Sequence, residues 1–292
     1  MGNLFDSLPF MSRKNTIKVD SYIPEPNEYI SDDCSSIICR NCGEVRRVKK
    51  YSPLFKAYIW TKADPDSYCM CSCEMKMIAE RIEAEDKENF KSLYDCEELR
   101  TLVGLKYIDR TFSNTIKTVS RTYNAAYEAC VMLCKDKDDT IQKGKGIYIW
   151  SKGPGTGKST LLACVRNSFV SEYKPCVFIN SSDLIGYASY RNDDDGKKFN
   201  FAMFSRVPVL IVDDIGAQSL DRNTSYCGWA KDVWYSLMEK RNKDNLCTCF
   251  TSNYSPDELM TKQGFDFKTV DRISERCAGN VYEIEGSSFR GI

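Results

Sequence analysis

The chain has 292 residues, of which 42% are hydrophobic, and this is enough apolar material for one large domain or two modest ones. Its 41 basic and 41 acidic side chains balance, which excludes a global attraction to nucleic acid, so any such contact needs a local patch. The chain has no histidine, which excludes histidine catalysis and histidine metal ligands, and no apolar run long enough to span a membrane.

The start of the chain has no recognisable secretory leader, so we expect a cytoplasmic protein whose 15 cysteines stay reduced. Residues 1–33 contain Pro24 and Pro26 and many polar side chains, and we expect this segment to be loosely ordered.

Two groups of cysteines in the first quarter of the chain have the spacing of a zinc site. Cys39 and Cys42 flank a tight turn that ends in Gly43, and two thiolates from such a turn bind one tetrahedral ion. The Cys-Met-Cys-Ser-Cys stretch at residues 69–73 supplies the other half. We predict a structural zinc ion held by Cys39, Cys42, Cys71 and Cys73, with Cys69 as the first substitute and Cys34 less favoured. The alternative, buried thiols acting as small apolar side chains, is what we expect of the other cysteines.

Helical segments follow the cysteine groups. Residues 74–99 are rich in Glu, Lys, Met and Ala without proline or glycine, and residues 124–133 also have helix-forming composition. A charged, glycine-containing loop is predicted over residues 135–146. We therefore divide the chain into a small cysteine-rich domain at residues 1–100 and a larger domain at residues 101–292.

A phosphate-binding loop is predicted between the apolar run 147–150 and a helix at 161–165. Glycines let successive backbone N–H groups turn towards an anion, Lys158 adds a full positive charge, and the Ser159 hydroxyl is placed to hold Mg²⁺. The usual pattern GxxxxGK[ST] has glycine where this chain has Lys152, so the first glycine comes one place late. The alternative is an ordinary strand-to-helix loop. The predicted nucleotide-binding residues are Gly153, Pro154, Gly155, Thr156, Gly157, Lys158, Ser159 and Thr160.

Further strands complete an α/β pattern around this loop. A buried strand at 207–212 ends in Asp213 and Asp214; Asp213 would hold Mg²⁺ through water and Asp214 would orient or deprotonate the attacking water. The alternative is a solvated acidic turn. Strands are also predicted at residues 176–179, 248–251 and 281–285, and alternation with helices implies a parallel sheet flanked by helices. Asn253 follows one of them, where its amide would sense the γ-phosphate unless it serves only a turn. Ser255 then begins a helix with a capping box.

These motifs together resemble the helicase-loader family of AAA+ ATPases, of the DnaC/DnaI type. The resemblance is carried by residues 39–43, 71–74, 107–112, 144–148, 151–160, 213–217, 251–253, 272–276 and 288–290. It implies a P-loop AAA+ core without a C-terminal helical lid, preceded by a zinc-binding domain that grips a DnaB-type replicative helicase hexamer. It also implies ATP, Mg²⁺ and Zn²⁺ as cofactors and self-assembly into a ring or spiral around single-stranded DNA.

The resemblance also assigns residue roles. Asn253 matches the first sensor residue, and the arginine that reaches the neighbouring subunit's γ-phosphate falls between Arg272 and Arg276, of which Arg276 is favoured. Many relatives have glutamate at the position of Asp214, and the shorter aspartate predicts slow turnover. Arg290 matches a family position without a role that we can derive. For DNA contact the best local candidates are residues 187–191 with Lys197, Lys198 and Phe199, whose rings would stack on bases unless they belong to the core.

The leading functional hypothesis is an ATP-dependent loader of a replicative helicase, hydrolysing ATP slowly at the start of DNA replication. A second is the ATP-binding helper of a transposase, an IstB-like protein, whose core is closely similar. The cysteine module favours the loader. A third is a scaffold that binds nucleotide without hydrolysing it.

Overall fold

A computed structural model describes residues 16–63, 71–115, 120–189, 201–220, 224–286 and 288–289. The chain divides into two compact units, Met1–Lys87 and Glu88–Ile292. Leu99, which is 2% exposed, is part of the second unit's core, so this structural boundary lies before the predicted one at residue 100. None of the described helices is long and apolar enough to cross a membrane.

The first unit is an antiparallel sheet of five strands in the order β1-β5-β4-β3-β2. Its strands are β1 (Thr16–Lys18), β2 (Glu28–Ile30), β3 (Ser36–Cys39), β4 (Val45–Ser52) and β5 (Ala57–Lys62). The expectation that residues 1–33 are loosely ordered is wrong from Thr16 onwards, because β1 and β2 pair with β5 and β3. Residues 1–15 lie outside the described part of the chain.

A small core holds this sheet together. Among the described residues before 72, the buried apolar side chains are Ile37, Trp60 and the thiols of Cys39 and Cys71. Arg46 is also buried, where its guanidinium donates to Glu28 at 2.6 Å and pairs with Glu74. So few apolar groups leave the unit in need of another source of stability.

The helix predicted at residues 74–99 is two helices, α1 (Ser72–Tyr94) and α2 (Glu97–Val103). At the break, the Arg166 guanidinium donates to the Tyr94 carbonyl at 3.1 Å and to the Asp95 carboxylate at 2.9 Å. A long-range ion pair therefore ends a helix that local composition alone would continue.

The second unit contains a parallel sheet of five strands in the order β10-β6-β9-β8-β7. Its strands are β6 (Tyr148–Trp150), β7 (Cys176–Asn180), β8 (Val209–Ile215), β9 (Cys247–Ser252) and β10 (Val281–Glu283). The helices are α3 (Arg121–Lys135), α4 (Lys137–Lys143), α5 (Lys158–Ser171), α6 (Ser181–Ser189), α7 (Phe201–Arg206), α8 (Ser225–Lys243), α9 (Pro256–Thr261) and α10 (Phe267–Arg276). The predicted α/β architecture is confirmed.

Both faces of this sheet are buried. Along β8, Val209 and Ile211 belong to one apolar cluster, and Leu210 and Val212 belong to the other. Such two-sided burial explains why this strand is a continuous apolar run. The predicted capping box at Ser255 is present at the start of α9. After β10, the described residues 284–286 and 288–289 form no helix.

The loop predicted over residues 135–146 contains α4, so that prediction is wrong. The Asp136 carboxylate accepts the N–H of Asp139 at 2.9 Å, which caps the helix, and Gly144 ends it in a left-handed conformation. Nine cysteines after the first quarter of the chain were predicted to be buried apolar side chains, and two of them, Cys96 and Cys134, are only half-buried. The other seven are buried, namely Cys130, Cys164, Cys176, Cys227, Cys247, Cys249 and Cys277. Burial raises the pKa of the Cys130 and Cys176 thiols, as expected of inert core side chains.

Candidate nucleotide site and cysteine cluster

The phosphate loop connects β6 to α5, and its last glycine is required by the backbone. Gly157 caps α5 with φ 87°, and a Cβ there would lie 2.8 Å from Tyr123 Cε2. The loop therefore passes close beneath Tyr123 and turns the amino end of α5 towards a cavity. This end of a helix attracts anions.

The cavity has a volume of about 420 Å³ and brings together residues that are distant in sequence. Loop residues 154–160 line it with Asp213, Asp214 and Asn253, so the structure places these predicted residues around one space. Gly153 is not in the lining, but its carbonyl accepts a hydrogen bond from Lys158. Sequence reasoning gave no role to several other lining residues, which are Lys106, Tyr107, Arg110, Thr115, Tyr123, Asn180, Thr251 and Phe289.

Lys158 is held at the centre of the loop. Its side chain is 7% exposed, and the ammonium donates to the Ser151 hydroxyl at 2.5 Å, to the Gly153 carbonyl at 3.2 Å and to Asn253 Oδ1 at 3.0 Å. These three oxygen acceptors fix the position of the Lys158 ammonium inside the cavity. The ammonium is thus placed to donate to a phosphate oxygen.

The two carboxylates occupy the carboxyl end of β8, with Thr251 of β9 between them. The Thr251 hydroxyl donates to Asp213 Oδ1 at 2.5 Å and accepts the backbone N–H of Asp214 at 2.8 Å. Asp214 has φ 57°, an uncommon conformation for a residue other than glycine, and its Oδ1 accepts the Asn253 amide at 3.0 Å. Asn253 therefore contacts both Lys158 and Asp214, which couples the loop to the acidic strand.

The end of the described chain closes one side of the cavity. The Phe289 N–H donates to the Gly155 carbonyl at 2.8 Å, and the Phe289 ring meets Tyr123 edge to face with centroids 5.6 Å apart. The match of residues 288–290 to the family pattern was the one signal in the sequence for this contact. Arg290 lies outside the described residues.

The two candidate arginines lie on α10, at the edge of the sheet opposite the phosphate loop. The Arg276 carbonyl accepts the N–H of Gly146, which precedes β6, whereas the loop follows β6. The Arg276 side chain is 11% exposed and donates to Asn245 Oδ1 at 2.7 Å. Arg272 is 33% exposed and pairs with Glu239 at 2.9 Å and with Glu275. Neither arginine lines its own chain's cavity.

The proposed DNA-contact residues are placed only in part. Tyr187 is half-buried and packs against Phe204 with ring centroids 5.2 Å apart, which is a core contact. Residues 190–200, which include Arg191, Lys197, Lys198 and Phe199, lie outside the described part of the chain.

In the first unit, the four cysteines predicted as zinc ligands form a cluster. The sulfur atoms of Cys39, Cys42, Cys71 and Cys73 all lie within 4.8 Å of one another. Four thiolates around a zinc ion at about 2.3 Å would have sulfur atoms roughly 3.8 Å apart, so the donor set and its size fit zinc. Cys34 is exposed, and Cys69 lies outside the described residues.

Two features of the backbone build the cluster. Gly43, at φ 76°, donates its N–H to the Cys39 carbonyl at 2.9 Å and completes the tight turn. The Glu44 carboxylate accepts the N–H of Ser72 at 2.8 Å and its hydroxyl at 2.5 Å, which ties this turn to the start of α1. Sequence reasoning missed Glu44, because its partner is distant along the chain.

The surroundings of Cys39 favour a thiolate. Burial opposes ionisation, but the backbone N–H groups of Cys42 and Asn41 and the thiols of Cys71 and Cys73 lower the pKa of Cys39 to about 6. The pKa of the Cys71 thiol is raised by burial, and that of Cys73 is raised by its hydrogen bond to Cys71.

No family model matches this chain. The chain is 26% identical over 277 residues to the replicative helicase loader DnaI of Bacillus subtilis, a similarity that covers 94% of this chain and 78% of DnaI. It is 21% identical to the replicative helicase loader DnaC of Escherichia coli K12 over an alignment of 162 residues that covers 51% of this chain and 63% of DnaC. The chain thus spans less than two thirds of the length of DnaC.

Among solved structures, the DnaC helicase loader superposes with a TM-score of 0.50 at 21% identity, covering 62% of this chain and 100% of that one. A DnaI crystal structure superposes with a TM-score of 0.49 at 24% identity and covers 63% of this chain and 93% of that one. The DnaC likeness supports the assignment of an AAA+ fold to the larger unit.

Proposed function

We propose that this chain, as a member of the helicase-loader family of AAA+ proteins, is an ATP-dependent loader of a hexameric replicative helicase onto single-stranded DNA. It would act in the cytoplasm when DNA replication is initiated. The observation that carries the proposal is the similarity to DnaI, because it extends through both the cysteine cluster and the nucleotide site. A transposase helper would not account for the cysteine cluster, which the loader hypothesis uses.

The cavity supports binding of ATP with Mg²⁺. The amino end of α5 and the Lys158 ammonium would hold the phosphates, and the Ser159 hydroxyl and the Asp213 carboxylate are the oxygen donors that Mg²⁺ prefers. The metal would neutralise charge on the phosphates. Thr251 fixes Asp213 by donating to its Oδ1, so the carboxylate is oriented before the ion arrives.

Hydrolysis is assigned to Asp214 and Asn253. Asp214 would orient the attacking water and accept its proton, and the Asn253 amide holds that carboxylate at 3.0 Å. Asn253 Oδ1 also accepts a hydrogen bond from the Lys158 ammonium. A phosphate that draws the ammonium away would break this bond and allow the Asn253 side chain to change its contacts. The aspartate has a shorter reach than the glutamate of many relatives, so we propose slow turnover that DNA or the helicase stimulates.

Self-assembly would place an arginine of one subunit at the nucleotide of the next. Both candidates lie at the edge of the sheet opposite their own cavity, so neither can act on its own nucleotide and either could act on that of another subunit. Arg276 would have to release Asn245, whereas Arg272 would have to exchange only surface ion pairs, which contribute little stability. Arg276 remains the family match, and Arg272 is the more accessible of the two.

A mixing experiment distinguishes these arginines. We expect Arg276→Ala to keep ATP affinity and to lose hydrolysis by about a thousandfold, because an arginine donated in trans stabilises charge that develops in the transition state. Mixing this variant with Lys158→Ala should restore activity, since some interfaces then combine an intact lysine with an intact arginine. Phosphate release is the measurement.

The same experiment with Arg272→Ala is the matched comparison, because both residues lie on α10. If Arg272→Ala loses hydrolysis and regains it on mixing, while Arg276→Ala by itself hydrolyses ATP as the unmodified protein does, the role belongs to Arg272. If both arginine variants hydrolyse ATP by themselves as the unmodified protein does, the trans arginine is not on this helix. If a variant is inactive by itself and stays inactive in a mixture that co-assembles, its arginine does not act in trans.

The first unit would bind the helicase, with zinc maintaining its fold. Among the described residues the cluster consists of four cysteine sulfurs without an oxygen donor, which suits zinc and not Mg²⁺ or Ca²⁺. Such a closed site has a structural role.

Helicase loading is tested directly with a purified replicative helicase hexamer from the same source. We expect the full chain to co-elute with the hexamer, and to transfer it onto a closed single-stranded circle that the hexamer alone does not enter. Absence of both effects with every replicative helicase of the host would contradict the proposal. Binding to a transposase instead would favour the transposase-helper hypothesis.

A further inference from the structure

The hairpin formed by β4 and β5 has an unusual charge pattern. Residues 45–62 contain no aspartate or glutamate, although the whole chain is balanced in charge. Their basic residues are Arg46, Arg47, Lys49, Lys50, Lys56 and Lys62. A positive patch that the global charge conceals is the local feature that contact with nucleic acid requires.

The basic residues divide between the base and the tip of the hairpin. Arg46 and Arg47 are buried at the base, where Arg46 pairs with Glu28 and Glu74 inside the fold. Lys50 and Lys56 are exposed at the tip, and among the described residues neither forms an ion pair. Their charges are therefore available to a ligand.

Large apolar side chains are exposed at the same tip. Tyr51 is 57% exposed, Tyr58 is 56% exposed and Phe55 is 49% exposed. Tyr51 and Tyr58 are opposite each other in the register of β4 and β5, with ring centroids 5.5 Å apart and an interplanar angle of 73°. The Lys49 ammonium lies 5.2 Å from the Tyr58 centroid. The edge-to-face contact stabilises the hairpin but leaves more than half of the surface of each tyrosine exposed to solvent.

We propose that this hairpin tip, defined as Lys49, Lys50, Tyr51, Phe55, Lys56 and Tyr58, binds single-stranded nucleic acid. The rings would stack on successive bases and the ammonium groups would follow the phosphates, the combination by which proteins bind single strands without reading sequence. Lysine is depleted in protein interfaces, whereas here lysines alternate with the rings, so the pattern favours a polyanion with flat bases over a protein partner.

This site is separate from the nucleotide cavity, since all its residues belong to the first unit. Binding there needs neither ATP nor a helicase. Oligonucleotide affinity therefore tests the proposal even if helicase loading is wrong.

The test uses the full zinc-loaded chain without nucleotide and a fluorescent twelve-residue oligothymidylate, followed by anisotropy. We expect Tyr51→Ala with Tyr58→Ala to weaken binding about tenfold or more, because base stacking on each ring is lost. Tyr51→Phe with Tyr58→Phe should keep the affinity. Lys49→Gln, Lys50→Gln and Lys56→Gln together should reduce the slope of log affinity against log salt by about 2.

An abasic oligonucleotide of the same length separates stacking from charge. The unmodified protein should prefer the thymidylate strand, and the double alanine variant should lose that preference. Tyr226→Ala, an exposed tyrosine of the second unit, is the matched control and should have no effect. The proposal is overturned if the tip variants bind both strands as the unmodified protein does. Loss of helicase binding with unchanged oligonucleotide affinity would overturn it too and would assign the tip to the helicase.

Discussion

Lys158→Ala should abolish ATP binding, whereas Asp214→Asn should spare binding and stop hydrolysis. Lys158 is 7% exposed and its ammonium is fixed among three oxygen acceptors, so its charge-assisted bonds to phosphate form in a partly dry cavity. Its loss should weaken ATP affinity by about a hundredfold or more. Asp214→Asn keeps the shape and removes only the base, which should slow turnover by about a hundredfold to ten-thousandfold. Calorimetry measures the first effect and phosphate release the second.

Lys152→Ala is the matched control for the lysine. It removes the same charge from the same loop, but Lys152 is exposed and does not line the cavity, so ATP affinity should change little. Unchanged turnover in both Lys158→Ala and Asp214→Asn would contradict the assignment of an ATPase. If the unmodified protein binds ATP but releases no phosphate even with DNA and helicase, the scaffold hypothesis takes its place.

The sequence predicted the parts of the site that local chemistry determines. Loop residues 153–160, the pair Asp213 and Asp214, and Asn253 follow apolar strands, and parallel strands place their carboxyl ends at one edge of a sheet. Their common cavity could therefore be predicted without coordinates, although their individual roles remain predictions. The cysteine cluster could be predicted for a similar reason, because two short spacings restricted the choice of ligands to a few thiols.

Residues that act through long-range contacts could not be predicted in the same way. Thr251 lies between the two carboxylates only because β8 and β9 are neighbours, and nothing in the spacing indicates which strands pair. Phe289 reaches Gly155 from the far end of the chain. The helix break at Asp95 depends on Arg166 of α5, and Glu28 on β2 is held by the buried Arg46. In each case the residue that determines the contact is distant in sequence, whereas local composition gives information only about residues close together in the chain.

The purified protein should carry about one zinc ion per chain, and Cys39→Ser or Cys42→Ser should release it and unfold the first unit. The apolar core of that unit, in the part that the structure describes, is little more than Ile37 and Trp60, which cannot offset the conformational entropy of an ordered sheet. Zinc binding contributes about 10–16 kcal/mol in zinc-finger peptides, so the ion would supply most of the folding free energy. Metal analysis and limited proteolysis measure the two losses.

Cys34→Ser is the matched control, because Cys34 is exposed and lies outside the cluster, so it should keep both the zinc and the protease resistance. Cys69→Ser tests the substitute ligand and should also keep the metal. ATP affinity should be unchanged in Cys39→Ser, because the nucleotide cavity belongs to the second unit. This result would show that the substitution unfolds the first unit and not the whole chain. A metal-free protein whose first unit resists protease would mean that the sheet and the Arg46 ion pairs stabilise the unit alone, and that the thiols have another role.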